Sequence, residues 1–142
     1  MLEIITKYNH CVNLIDSIDL RSSFIINGTN NLPEIKFYKY SSVLELNGKM
    51  YNHDPCLIFN LINEFLEKSI ENQLMPIVIR FDLKLLNARS MIYIYDLIKK
   101  IELINKTGLK IRVIWIHDVS DDGFFIEVLS QISSLNFKVY EI

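Results

Sequence analysis

The stretch MPIVIRFDLKLLNARS, residues 75–90, decides how this chain folds. Ile77, Ile79, Phe81, Leu83 and Leu85 fall on one side of an extended strand, while Arg80, Asp82 and Lys84 fall on the other. Successive strand side chains point to opposite faces, so this is a strand over Ile77–Leu85 with one apolar and one charged face. A strand buried on both faces would read as a nearly continuous apolar run. Pro76 marks its start, and the strand gives way to a turn, Leu86-Asn87-Ala88-Arg89-Ser90, in which Asn87 caps a following helix.

Working outward, the same alternation recurs in Leu109–Ile116, where Leu109, Ile111, Val113 and Trp115 oppose Lys110 and Arg112. Between the two strands, Met91, Ile94, Ile98 and Ile101 recur at helical spacing up to about Asn105, with Gly108 just beyond. Upstream, Asp54-Pro55 opens a helix in which Ile58, Leu61, Ile62 and Phe65 form the apolar stripe. That helix ends before Met75-Pro76, because proline disfavours a helical residue ahead of it. Downstream, a short helix is expected over Asp121–Ile132 and a last strand over Phe137–Ile142. Strand–helix–strand alternation from residue 54 onward predicts right-handed parallel crossovers.

The first half reads differently. Phe24–Asn27 and Glu34–Tyr40 are strands joined by a turn containing Gly28, and Ser41-Ser42 turns the chain into Val43–Leu46. Asn47-Gly48 is a strong reversal signal before Lys49–Tyr51, so a hairpin is expected there. Residues 1–22 stand apart as an N-terminal extension; they offer a strand or a short helix around Val12–Ile18, and the residues do not choose. The expected fold is a single two-layer α/β domain. An N-terminal antiparallel meander continues into a mixed sheet, with helices mainly on one face. The other face collects Lys36, Arg80, Lys84, Lys110, Arg112 and Lys138 against Glu34, Glu45 and Asp82. It is mildly basic although the chain as a whole carries −2 at pI 5.9.

Composition sets outer limits. A chain of 142 residues, half of them hydrophobic, is one domain with an ordinary core. Its slight net negative charge gives no overall attraction to nucleic acid or to an anionic membrane. No apolar run approaches the roughly 18 residues of a membrane span, and the first residues lack the pattern of a secretory signal. Cys11 and Cys56 are too few and too isolated for a disulfide framework, which fits a reducing, cytoplasmic setting.

Four segments in order, SFIINGTNNLPEIKF (23–37), VLELNGKMYNHDP (43–55), FDLKLLNARS (81–90) and VIWIHDVSDD (113–122), resemble the SiaC-type bacterial regulatory phosphoproteins. In that family a Thr-x-x-(Thr)-Pro-x-(Ile/Val) segment leads into a strand and a Leu-Glu-Ile-x-Gly-x-Ser-Tyr hairpin follows. An Asn-Thr-Ser-Ser turn opens a helix, and a Trp-Tyr-Tyr strand ends in an acidic loop. The resemblance implies a SiaC-like domain over residues 23–142 that works by contact, with no catalysis and no cofactor. It implies a dedicated protein kinase that adds a phosphate to the turn and a metal-dependent protein phosphatase that removes it. The unmodified form then binds and activates a diguanylate cyclase, which places the chain in cyclic di-GMP signalling and biofilm control.

Residue by residue, Asn87 takes the place of the motif's asparagine, and Ala88 that of the acceptor threonine. Arg89 and Ser90 take those of the two serines. A methyl group accepts no phosphate. Ser90 is the only nearby hydroxyl and stands either as a substitute acceptor or as part of a plain helix start, its amide bonded to the Asn87 side chain. Arg89 offers a constant charge or a contact for a partner's acidic group. The usual switch is therefore expected to be lost, leaving a regulator controlled otherwise or permanently competent.

The second candidate is His117-Asp118-Val119-Ser120-Asp121-Asp122. Three carboxylates and a histidine at a strand's carboxyl end offer oxygen ligands to Mg²⁺ or Ca²⁺, which supports a metal- or small-ligand-binding enzyme as the rival reading. The spacing matches no defined metal loop. Ser120 or Asp121 as a helix cap explains the same residues, and the acidic family loop implies a partner-facing rim at His117, Asp118, Asp121 and Asp122. His53 beside the helix start and His10 in the N-terminal segment carry no further pattern. The glycines are scattered singly, and no catalytic motif of the hydrolase, metalloprotease or phosphate-loop kinds is present.

Overall fold

In the computed structural model, residues 3–7, 23–51, 56–72, 76–84, 86–117, 125, 127, 131 and 137–141 are described. They form one mixed sheet of seven strands: β1 (Glu3–Lys7), β2 (Ser23–Asn27), β3 (Glu34–Tyr38), β4 (Val43–Lys49), β5 (Ile77–Lys84), β6 (Ile111–His117) and β7 (Phe137–Glu141). Helix α1 spans Cys56–Glu71 and α2 spans Ala88–Asn105. Spatial order equals chain order, β1 to β7. β2, β3 and β4 pair antiparallel, whereas β1–β2, β4–β5, β5–β6 and β6–β7 are parallel. The N-terminal segment thus contributes a strand at Glu3–Lys7. Val12–Ile18, the Asp54-Pro55 helix start and most of Asp121–Ile132 lie outside the described residues.

Both helices follow from their apolar spacing. α1 buries Ile58, Phe59, Leu61, Ile62, Phe65, Leu66 and Ser69, and the Ser69 hydroxyl donates to the Phe65 carbonyl at 2.7 Å. α2 buries Ser90, Ile94, Leu97, Ile98 and Ile101; Leu97 takes the inward place expected of Met91, which is only partly covered. The helices meet where Phe59 stacks on Tyr93, ring centroids 5.0 Å apart. Asn105 fastens the end of α2 to β6, donating to the Ile111 carbonyl at 2.9 Å and accepting from the Ile111 amide at 2.8 Å.

The inward residues of β2–β6 and both helices make a single core. Phe24, Phe37 and Phe65 cluster with centroids 5.1–6.5 Å apart. Trp115, 2% exposed, lies against Phe81 and meets the edge of Phe125. On the opposite face the alternate residues of β5 (Val78, Arg80, Asp82, Lys84) stay partly or fully open to solvent, as do Arg112, Ile114 and Ile116 of β6. Both described helices on one face, with the other at least partly open to water, is the arrangement the alternating strands predict.

The expected hairpin at Asn47-Gly48 is not formed. β4 runs straight through it, with Asn47 opposite both Glu34 and Asp82, Gly48 opposite Leu83 and Lys49 opposite Lys84. A two-residue hairpin of the Asn-Gly kind needs positive φ at both positions. Only Gly48 has it, at +130°; among non-glycine residues described, Ser42 alone does, at 55°. Extending the ladder to β5 outweighs the local turn preference, and the real reversal is the turn at 39–42. Glycine serves instead to admit the β2–β3 connection. A Cβ at Gly48 would sit 3.4 Å from the Pro33 Cα, and one at Gly28 would sit 2.9 Å from the Glu34 amide nitrogen.

Gly48→Ala should therefore lower stability by about 1–3 kcal/mol, through a strained φ inside a paired strand. Urea denaturation followed by circular dichroism should show a reduced midpoint with an unchanged slope. An unchanged midpoint would mean that β4 relaxes freely at this position.

Candidate functional site

The helix start singled out by sequence is formed at Asn87. The residue is extended (φ −89°, ψ 170°), and its Oδ1 accepts from the Ser90 amide at 2.8 Å. This satisfies one of the free amides of the first turn, as an asparagine cap should. Ala88 and Arg89 are exposed and Asn87 is half-buried. The first turn carries no acidic residue, so no side-chain carboxylate there offsets the partial positive charge of the helix end.

Ser90 points inward. It is 0% exposed, and its Oγ lies 3.5 Å from the Met50 carbonyl, to which it donates. Met50 in turn donates its amide to the Lys84 carbonyl at 2.9 Å, so the ends of β4 and β5 and the start of α2 are tied together. Phosphoryl transfer to Ser90 would require this first turn to open. In the closed fold the hydroxyl is a structural group, and Ala88 with Arg89 forms the accessible part of the turn.

Tyr51, 59% exposed, stands next to Met50 and donates its amide to the Asn31 carbonyl at 2.9 Å. The Thr29 hydroxyl accepts from the Asn31 and Leu32 amides at 3.3 and 3.1 Å and shapes that connection. Met50 and Tyr51 were hidden by the hairpin reading of Asn47-Gly48. The alternation Leu44, Leu46, Met50, with Gly48 at the same parity, was the signal that the strand continued.

Of the second candidate, His117 is the last residue of β6, nearly buried and opposite Glu141 in the register. Asp118, Asp121 and Asp122 lie outside the described residues, as do His10 and His53. Among the described residues no three metal-ligating side chains converge. No helix among them is long and apolar enough to cross a membrane. The small apolar gap between Phe24, Ile35, Leu44 and Phe65 belongs to the core and has no polar group to orient a ligand.

On the open sheet face, Lys36 pairs with Glu34 at 3.2 Å and Arg80 with Glu45 at 3.1 Å. The Glu34 hydrogen bond, aided by its charge, holds the Lys36 pKa above the ordinary lysine value.

The sequence profile of the SiaC family regulatory phosphoproteins matches residues 26–142. No curated protein matches the chain by sequence. In three dimensions the chain is similar to SiaC of Pseudomonas aeruginosa, with a TM-score of 0.75 at 20% identity over 85% of this chain and 99% of that one. It is also similar to a chain in the crystal structure of the diguanylate cyclase SiaD in complex with its activator SiaC from P. aeruginosa, with a TM-score of 0.74 at 19% identity over 83% and 98%.

Substitutions at two positions separate cap from switch at this turn. Asn87→Ala should cost about 1 kcal/mol, and Asn87→Asp should retain most of that stability. Ser90→Asp, which places a carboxylate in a fully buried site, should destabilise by at least about 2 kcal/mol. Thermal unfolding of the purified variants checks both. A Ser90→Asp protein as stable as the wild type would return Ser90 to the list of usable acceptors.

Proposed function

We propose that this chain, which belongs to the SiaC family of regulatory phosphoproteins, acts without catalysis by binding and controlling a diguanylate cyclase in the cytoplasm. The observation that carries the reading is the exposed, asparagine-capped start of α2. By the motif resemblance it stands where the family carries its phosphorylated turn, and it presents a methyl group at Ala88. In the family pattern the unmodified turn is the binding-competent form. A chain that cannot accept phosphate there is held in that form, and its kinase and phosphatase partners lose their point of action.

The physical logic is a charge argument. A phosphate at the first turn would bring about −2 of charge to one surface spot, stabilised in place by the helix end. A partner that packs against that spot would have to desolvate the phosphate or meet it with cations. Ala88 removes the event, and Arg89 replaces it with a permanent positive charge at the next position. SiaC of P. aeruginosa, of similar fold, is described as the activator of SiaD. That description supports a cyclase as the partner here.

Isothermal titration calorimetry with the diguanylate cyclase of the same organism should give a one-to-one complex of micromolar affinity or better. Ala88→Thr should become a substrate for the cognate kinase, and its phosphorylated form should bind the cyclase at least about tenfold more weakly, a loss of roughly 1.4 kcal/mol. Cyclase that neither binds nor changes its activity with the folded wild-type chain would sink the proposal. Kinase-dependent phosphorylation of the wild type at residues 87–90 would sink the claim of permanent competence.

A further inference from the structure

Parallel sheets are found almost only where both faces are covered, because their strands are built to be buried. In this chain β4 to β7 form a parallel run of four strands, and both described helices pack on the same face. The other face nevertheless keeps aliphatic side chains: Ile25, Val43, Val78, Ile114 and Ile116 are all only partly covered. Tyr38 at its β3 side and Tyr140 at its β7 side are 42% and 49% exposed. The register sets these residues in two rows. One runs Tyr38, Val43, Val78, Arg112, and the next runs Lys36, Glu45, Arg80, Ile114, Lys138.

Charge on this face is unevenly settled. Towards β3 and β4 the cations are neutralised within the chain, Lys36 by Glu34 and Arg80 by Glu45. Towards β6 and β7 they are not: Arg112 and Lys138 are exposed and, among the described residues, have no carboxylate partner. Lys138 is opposite Ile114, two residues on from Arg112, so the two cations border one side of the diagonal Val78–Ile114–Tyr140, roughly 8 Å apart by strand spacing. Lys49 and Lys84, opposite each other at the far end of β4 and β5, add two more cations that have no carboxylate partner among the described residues. Lys49 was missed in the sequence because the strand was broken at Asn47-Gly48.

We infer that the face of the sheet opposite α1 and α2, centred on Val78, Ile114 and Tyr140 and edged by Arg112 and Lys138, is a docking surface for an amphipathic helix of the partner protein whose apolar stripe is bordered by Asp or Glu. The inference rests on the reading above that the chain works by binding a protein, and it names the surface and chemistry of that contact. A helix is the element this sheet already accepts on its other side. Carboxylates one helical turn apart are spaced by about 5.4 Å, within reach of two long cationic side chains. The bound helix would complete a third layer and cover the apolar side chains that are partly exposed on this face. The surface is separate from the Ala88 turn, which lies at the carboxyl end of β5.

The test pairs Arg112→Glu/Lys138→Glu with Lys106→Glu, an exposed reversal beyond α2, and measures cyclase binding by calorimetry at two salt concentrations. The double reversal should weaken binding about tenfold or more at low salt and the Lys106 reversal should not, with circular dichroism unchanged. Equal binding by wild type and double variant would overturn the docking surface and leave the proposed function standing. If the wild type binds no cyclase, the functional reading fails and a second measurement decides the surface alone. A synthetic helical peptide with leucines at i, i+3, i+4, i+7 flanked by glutamates should shift the methyl resonances of Val78 and Ile114, and its lysine-flanked counterpart should not. No shift with either peptide, or shifts produced only by duplex DNA or anionic vesicles, would overturn the inference.

Discussion

The parallel ladder between β4 and β5 is the joint on which the rest depends. It matches seven consecutive residues, Val43–Lys49 with Val78–Lys84. On one side of it β2 to β4 form an antiparallel meander, with β1 parallel at its edge; on the other the chain is a series of parallel crossovers. A parallel partner cannot be reached by a tight turn, so the pairing obliges the chain to cross over through α1. The ladder survives because β4 stays extended past Asn47, and it can do so because Gly48 takes a φ that side chains resist where Pro33 leaves little room. The same extension brings Met50 to the start of α2, where its carbonyl receives the Ser90 hydroxyl.

The order of the strands then fixes the layers. From β4 to β7 each parallel step moves the same way across the sheet. Crossovers of this kind are strongly right-handed, so helices on successive steps fall on the same side. Doubly wound sheets reverse direction once, gain helices on both faces and open a ligand crevice at the reversal. A run without reversal has no such crevice. Among the described residues it has one packed face, one face partly open to solvent, and a helix start just beyond the carboxyl end of β5. The exposed features of this domain are thus a turn and a surface, both suited to meeting another protein.

Much of this was legible in the strand stretch 77–85 and its exit turn. Alternation gave the packed and open faces, and the 3.6-residue recurrence gave α1 and α2, down to Asn87 as cap and Asn105 as last residue. The failures have physical causes. Asn-Gly is a turn signal because of local backbone preference, and pairing with β5, remote in sequence, outweighed it. Met91 and Leu97 are both apolar and both near the inward stripe; which one is buried depends on how α2 is rotated against the sheet. Ser90 was open to two readings from sequence, a substitute acceptor or part of a plain helix start with its amide bonded to Asn87. The first turn of α2 faces the end of β4, and that hid it.

The sequence by itself determined the two helices, the strands β2, β3, β5, β6 and β7, the faces of β5 and β6, the cap at Asn87 and the absence of an oxygen at residue 88, because these depend on residue type and on neighbours within a turn or two. Only the tertiary structure decided that Ser90 is sealed, that β4 passes through Asn47-Gly48, and that Arg112 and Lys138 border one side of an apolar diagonal while Arg80 and Lys36 are neutralised. Those outcomes depend on which strands lie side by side. Strand register is set by the packing of the whole core, in which residues far apart in the chain compete for the same space.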